Sequence, residues 1–435
     1  MAKLSRILYC RFGEKRVPLP QMKTLMLFLW LAFCHAVAAD GRSRTLSPDI
    51  QSLQVVVGND FLSPPVMRLG SDDVLHVSFD QMSHRYHRYT YRVELCDADW
   101  QPNSSAFDSD YLQGFNDNPI DDYQLSDGTN RLYTHYRLQL PNERCRLTQS
   151  GNYRLHIVDD DEGREVAVAE FYVVSRQVLV GLSVSTNTDV ETDRSAQQVS
   201  MTVRYQQLRV ARPDEQLRVV VRQNNREDSE RRDVPPNFVN SQGLQWEHNR
   251  QLIFPGGNEY RKFEILDVDH PTMGIEHIGW DEQDYHAYPY VCEPRRNYVY
   301  DEDADGAFYI RNSDNIDNDT RSDYLLVHYK LLTRQAEPFA EADVVIDGQW
   351  ATAPADCYVT RWDPADQSYN AVVLQKQGYY NYQFLLRDRD GTTHLVPQEG
   401  NFYQTENRYQ AFVYFRELSG RFWQLVGYQQ VMFKP

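Results

Sequence analysis

Cysteine is scarce in this chain. Six cysteines occur among 435 residues, and the four that follow residue 39 are Cys96, Cys145, Cys292 and Cys357. None of them lies in a CxxC pair, which argues against a structural zinc site. In an exported protein, four cysteines allow three full disulfide pairings, and the sequence does not choose among them.

Catalytic motifs are also missing. The sequence has no HExxH, no G-x-S-x-G, no Walker loop and no G-x-G-x-x-G, the patterns that bind zinc, present a nucleophile or cradle phosphates. Glycoside hydrolysis needs only two facing carboxylates. With 62 acidic residues, any pair would qualify, so their number has no diagnostic value. We predict a protein that is not an enzyme and that needs no cofactor or metal.

Long hydrophobic runs are absent as well. The apolar stretch 25–33 is too short to span a bilayer, which takes ~20 residues. Lys23 precedes it and small residues follow at 36–39, which is the order of a secretory signal peptide cleaved near residue 38 or 39. Acylation of Cys34 is the alternative, but the bulky Phe33 precedes that cysteine. We therefore predict an exported, soluble protein without direct membrane insertion.

Positive charge is in the minority. Residues 1–39 hold six Lys/Arg and one Glu, a net of +5, whereas the whole chain carries −17. The remainder therefore carries −22. An acidic surface repels nucleic acid and anionic headgroups, so neither is expected as a partner.

What the sequence does contain is a succession of short strands. β-branched and aromatic residues alternate at period two between turn formers, and the pattern lacks the spacing of βαβ units. This predicts an all-β fold of tandem immunoglobulin- or fibronectin-like antiparallel β-sandwiches after the signal peptide. The clearest segments in the first third are Asp73–Asp80, Tyr89–Cys96, His135–Leu140, Asn152–Asp160 and Val166–Val174.

Three sandwich domains are predicted from this pattern. The signal peptide takes 1–39, where residues 1–21 are an extended n-region or follow from a start codon assigned too early. The domains are an N-terminal sandwich at 40–175, a middle β-rich domain at 176–335 and a C-terminal early-set-like sandwich at 336–435. No low-complexity linker separates them, so we expect them to pack closely.

The string DEDADG at Asp301–Gly306 has two interpretations. Its Asp and Gly spacing matches the first half of a calcium loop, but position twelve is Asn312 in place of the bidentate Glu. A hairpin between strands NYVY and AFYIRN, joined by an Asp-Gly turn, explains the same letters, and we favour it.

Tyrosine and tryptophan clusters suit sugar stacking as well as cores, and Trp350 with Trp362 is the candidate sugar platform.

The most distinctive stretch runs from Leu95 to Ser126. It is acidic and aromatic, and it lacks the periodic apolar positions of an amphipathic helix. CDADW, SDYLQGFNDNPIDDYQLS, YTHYRLQLPNE and SGNYRLHIVDDD follow one another between Cys96 and Asp161. In this order and spacing they resemble the N-terminal domain of the type IX secretion system plug proteins of Bacteroidota. FPGGNEYRKFEI, SDYLLVHYKL and Glu399–Tyr428 are similar to the rest of such proteins, less specifically.

The resemblance implies a function. It implies a periplasmic protein on the inner side of the outer membrane that binds the large barrel translocon and closes its periplasmic opening when no substrate is present. Trp100, Tyr111 and Phe115 are then expected to brace the loop, and Asp117, Asn118, Asp121 and Asp122 are candidates for the interface with the partner. The alternative is a carbohydrate-binding or polysaccharide-processing accessory protein of the envelope. The family's D-x-N-G hairpin corresponds to Asp303–Gly306, which favours the turn over calcium.

Overall fold

The computed structural model describes residues 42–434, apart from 207 and 336. The predicted signal peptide and Cys34 lie outside these residues. Strands account for 47% of the described residues and helices for 6%, so the all-β prediction is confirmed. The α-helices of the described part are single turns: α1 (Asp108–Tyr111), α2 (Pro213–Gln216) and α3 (Asn318–Arg321). Short 3₁₀ turns cover Glu227–Ser229, Arg250–Leu252, Ala355–Tyr358 and Pro397–Glu399.

The first sandwich consists of two sheets that share one core. One sheet has the order β1-β12-β11-β5-β7 with β3 beside β12, the other has the order β2-β4-β9-β8, and β6 pairs with β10. The period-two pattern explains the core, because Tyr89, Tyr91, Val93 and Leu95 of one strand are all buried. The strands are β1 (Arg44–Thr45), β2 (Ile50–Val57), β3 (Val66–Arg68), β4 (Leu75–Gln81), β5 (Tyr89–Cys96), β6 (Leu112–Gly114), β7 (Asn118–Pro119), β8 (Asp122–Leu125), β9 (Thr134–Leu140), β10 (Cys145–Leu147), β11 (Gly151–Asp159) and β12 (Arg164–Val174).

The next strands begin a second sandwich. β13, β14, β18 and β17 form one sheet in that order with β19 beside β14, while β15 and β16 belong to another. Their ranges are β13 (Leu179–Ser185), β14 (Ala196–Arg204), β15 (Leu217–Gln223), β16 (Arg231–Arg232), β17 (Phe238–Asn240), β18 (Gly243–Trp246) and β19 (Ile253–Pro255).

A third sandwich follows with its own core. One sheet is centred on β28, which pairs with β20, β23, β25 and β29, and the other has the order β21-β22-β24-β27-β26. The strands are β20 (Arg261–Ile265), β21 (Ile275–Trp280), β22 (Tyr285–Pro289), β23 (Phe308–Ile310), β24 (Tyr324–Leu332), β25 (Asp343–Asp347), β26 (Arg361–Asp363), β27 (Ser368–Lys376), β28 (Gly378–Arg387) and β29 (Thr393–Leu395).

The last two strands return to the second sandwich. β30 (Asn407–Phe415) pairs with β15, and β31 (Gln424–Phe433) pairs with β30. Val219 and Val221 of β15 therefore share a core with Ala411 and Val413 of β30. β30 and β31 therefore complete the second sandwich.

Strand pairing also crosses residue 335. β24 lies against β27, and β20 lies against β28. The domain boundaries at 175 and 335 stay predictions. Core membership supports the division that we propose: a first sandwich at 42–175, a second at 176–260 with 405–434, and a third at 261–404 inserted into the second.

A buried ionic cluster joins the first and third sandwiches. We call it the Asp80 cluster. The Asp80 carboxylate accepts hydrogen bonds from Lys376 Nζ at 2.6 Å and from the Tyr324 hydroxyl at 2.7 Å, and His135 Nδ1 lies 2.6 Å from it. Asp80 is 0% exposed and Lys376 is 1% exposed. Lys376 also lies 4.1 Å from the centre of the Tyr133 ring. The two sandwiches are thus held together by charge, and also by the rings of Tyr133 and Tyr324, which meet edge-on with their centres 5.4 Å apart.

Candidate functional site

The acidic stretch of the first sandwich forms a continuous surface feature. We call residues 97–127 the acidic loop. It contains α1, β6, β7 and β8, and it carries eight aspartates without a lysine, arginine or histidine. Every residue of β8 is exposed, and β8 is the last strand of its sheet. The loop is therefore well placed to meet a partner.

Trp100 anchors the start of the acidic loop. Its ring is 1% exposed and meets Tyr172 edge-on with the ring centres 5.1 Å apart. The backbone N–H of Trp100 donates to the Asp97 carbonyl at 2.9 Å and closes a tight turn. Arg232 of the second sandwich donates to the carbonyl of Ala98 at 2.9 Å. The anchor thus lies where the first and second sandwiches meet.

Tyr111 anchors the middle of the loop. Its ring is 4% exposed and belongs to the first core. The hydroxyl donates to Asp108 at 2.7 Å and lies 3.1 Å from the Val93 carbonyl. Burial, followed by the nearby Asp108, raises the pKa of Tyr111. The hydroxyl therefore stays protonated and holds α1 against β5.

Phe115 differs from its expected bracing role. Its side chain is 79% exposed. Tyr111 and Leu112 occupy the core beneath the loop. Gly114, with φ of 114°, lies so close to β10 that a Cβ would be 2.0 Å from the Arg144 carbonyl oxygen. The chain turns outward at this glycine, so the exposed Phe115 ring does not brace the loop as expected.

The four predicted interface residues divide into two groups. Asp117, Asp121 and Asp122 are exposed; Arg144 lies 3.0 Å from Asp121, and Arg137 lies 3.0 Å from Asp122. Asn118 is 7% exposed and donates to the Phe115 carbonyl at 2.6 Å. The three carboxylates lie on the surface, whereas Asn118 shapes the loop from within. Their contact with a partner stays a prediction.

Sequence reasoning missed two contributors to this surface. Phe107 is 70% exposed and lies just before α1. Arg421, from the segment between β30 and β31, lies 2.7 Å from Asp110 and donates to the Ser105 carbonyl at 3.2 Å. An isolated arginine more than 300 positions away carries no signal in the sequence that it supports this loop.

The DEDADG string forms a turn at Asp305 and Gly306, both at positive φ. AFYIRN contains β23, but NYVY is not a strand, so the predicted hairpin is wrong on that side. Asp305 is 3% exposed, with Arg408 Nε at 3.3 Å. Burial raises the pKa of Asp305 to about 6, although Arg408 opposes the rise. No three His, Cys, Asp or Glu side chains within 42–434, gaps aside, are grouped to hold a metal.

We expect this buried carboxyl to make stability fall as pH rises. The unfolded carboxyl loses its proton near pH 3.8, whereas folded Asp305 keeps it to about pH 6. Between these values the folded state binds more protons, so the free energy of unfolding decreases as the pH rises, by about 1–3 kcal/mol. Asp303, which accepts from the Asp305 backbone N–H at 2.7 Å, acts in the same direction, because burial and the Asp305 charge raise its pKa as well. Urea titrations of the wild type and Asp305→Asn across this range measure the effect. Asparagine accepts the positive φ and does not titrate. A stability difference between the two proteins that is flat, or that rises with pH, would contradict the assignment.

The candidate sugar platform is not formed. Trp350 is 7% exposed and donates from Nε1 to the Asn381 carbonyl at 2.8 Å, inside the third core. Trp362 is partly buried against Tyr369, with the ring centres 4.9 Å apart. In Trp350, the ring face on which a sugar would stack is covered by the third core.

The four cysteines among the described residues are all free thiols. Cys96, Cys145 and Cys292 are buried and Cys357 is exposed. Burial raises the pKa of Cys145 to about 12 and also raises the pKa of Cys96 and Cys292. The three buried thiols are therefore protonated and unreactive.

In the part of the chain that the structure covers, no helix has the length and apolar character needed to cross a bilayer.

Comparison with known proteins identifies the family of the domain that carries the acidic loop. Residues 50–175, which include the whole acidic loop, match the type 9 secretion system plug protein 1st domain. The chain belongs to the type 9 secretion system plug family. A hypothetical protein from Parabacteroides merdae, solved by crystallography at 2.30 Å resolution, shares 34% identity with a TM-score of 0.86. The match covers 90% of this chain and 99% of that one.

Other comparisons add little. The C-terminal domain of the Streptococcus pyogenes antigen I/II-family protein AspA aligns over 89% of this chain and 100% of its own, at 7% identity and a TM-score of 0.17. Similarity this low carries no argument. The search of curated proteins finds no match. Plug-family membership, together with the all-β fold, supports a plug role related to type 9 secretion and a structural protein rather than a catalyst.

Proposed function

We propose that this protein is the periplasmic plug of a type IX secretion system. It binds the outer-membrane barrel translocon from the periplasmic side and closes its opening when no substrate occupies the pore. A wide water-filled barrel leaks solutes unless something large and well ordered covers it. The protein would act by occupying that opening rather than by transforming a molecule.

The observation that carries the proposal is the acidic loop on a rigid scaffold. The loop lies within the matched plug domain, and it is braced on the first sandwich by Trp100 and Tyr111. Binding loops held by rigid sandwiches lose little conformational entropy when they dock. The Asp80 cluster fixes the first and third sandwiches to each other, so the protein can cover an opening as one body.

Affinity capture tests the proposal. Tagged protein, produced in its native host and captured from detergent-solubilised outer membranes, is expected to retain one very large barrel protein that mass spectrometry identifies as an outer-membrane translocon. The same host carrying only the tag is the control. Retention of glycans without a barrel, or turnover of a substrate by the purified chain, would contradict the plug role.

A further inference from the structure

Two phenylalanines on neighbouring segments of the acidic loop are exposed. Phe107 is 70% exposed and Phe115 is 79% exposed. Phe107 directly precedes Asp108, and Phe115 directly precedes Asn116. Asn116 Nδ2 donates a hydrogen bond to the Asp108 carboxylate at 2.7 Å, which joins the two segments. Single exposed apolar residues need no explanation, but two exposed aromatic rings on segments that are hydrogen-bonded to each other are a feature found at interaction sites.

The segments that carry these rings are held in place. Asn116 exchanges two hydrogen bonds with the backbone of Val93, at 2.8 and 3.1 Å. Asp110 accepts from the Phe107 backbone N–H at 2.9 Å. Arg421 lies 2.7 Å from Asp110, and its guanidinium carbon is 5.8 Å from the Phe107 ring centre. Because the loop is already ordered, docking would not have to fix it.

Charge around the pair defines the partner. Four of the eight aspartates in the acidic loop pair with arginines from elsewhere in the chain: Asp110 with Arg421, Asp121 with Arg144, Asp122 with Arg137 and Asp127 with Arg321. Asp108 and Asp117 are exposed beside the two rings, and they keep the rim of the pair negatively charged. An aromatic centre with a rim of carboxylates fits an apolar recess that is flanked by lysine or arginine. A lipid surface with anionic headgroups would be repelled.

We propose that Phe107 and Phe115 are the apolar centre of the docking surface, and that they insert into a recess with a basic rim on the periplasmic face of the barrel translocon. This inference rests on the proposed plug function. Aromatic side chains that enter a recess dominate interface energies, whereas the polar rim mainly sets specificity and association rate.

The double variant Phe107→Ser/Phe115→Ser tests the proposal. Captured from the same solubilised outer membranes, it is expected to retain roughly tenfold less of the barrel protein than the wild type. Phe238→Ser is the matched control, because Phe238 of β17 is 58% exposed and lies in the second sandwich. That variant is expected to retain the barrel as well as the wild type. Equal thermal midpoints for all three proteins would show that the variants are folded.

The outcomes are distinct. If the wild type retains the barrel and the double variant retains it equally well, the pair is not the docking centre and the plug function stands. If Phe238→Ser loses the barrel to the same degree, the docking surface lies elsewhere. If the wild type retains no barrel, the plug function and this inference fail together. Raising the salt from roughly 50 to 500 mM should slow association of the wild type, and a rate that does not change would overturn the basic rim.

Discussion

Replacing Lys376 by methionine is expected to lower the free energy of unfolding by about 3–5 kcal/mol. The substitution leaves Asp80 as a buried charge without its cation. Burial disfavours the ionised form of Asp80, but Lys376 and His135 outweigh it, so the pKa of Asp80 lies below its ordinary value. Asp80 is therefore ionised in the folded protein at neutral pH. Urea-induced unfolding followed by circular dichroism measures the loss.

A second substitution separates the charge from the packing. In the Lys376→Met background, Asp80→Asn removes the stranded charge and keeps an oxygen that can accept from the Tyr324 hydroxyl, now 2.7 Å from the Asp80 carboxylate. We expect this double variant to regain much of the lost stability. If Lys376→Met alone changes the free energy of unfolding by less than about 1 kcal/mol, the pair behaves as a solvated ion pair and the Asp80 cluster does not hold the two sandwiches together.

The second large effect is expected at Trp100. Replacing it by alanine empties a fully enclosed site beside Tyr172, and such truncations cost about 3–5 kcal/mol through lost burial and the cavity left behind. The expected drop is measured by the same urea titration. Trp100→Phe is the control, because it retains an aromatic ring and should lose clearly less. Equal losses in the two variants would place the effect in the local backbone, where Trp100 has φ of 63°, rather than in packing.

Much of the fold follows from local pattern. The strands predicted at Tyr89–Cys96 and His135–Leu140 coincide with β5 and β9 within one residue, because one face of each strand is buried and period two is legible. The strand predicted at NYVY does not form, because aromatic and β-branched residues favour a strand only where a neighbouring strand is available to pair with it. Which strand that is depends on the whole fold. The pairing of β15 with β30 leaves no mark in either segment.

Part of the candidate site could be predicted from the sequence. Exposure of Asp117, Asp121 and Asp122 follows from their charge, and burial of Trp100 follows from its size. The outward position of Phe115 could not be predicted, because it depends on Gly114 passing close to Arg144. The support from Arg421 and the meeting of Asp80 with Lys376 join residues about 300 positions apart. Such contacts are set by how the sandwiches pack, and one sequence does not contain that information.

The return of β30 to β15 has a consequence for biosynthesis. The ribosome makes the chain from its amino end. Gln223 of β15 pairs with Tyr409 of β30, which is synthesised 186 residues later. Until then the valine-rich border of β15 has open backbone groups of the kind that recruit foreign strands. A nascent chain that stalls anywhere in this interval presents that edge to its surroundings until β30 has been made and pairs with it.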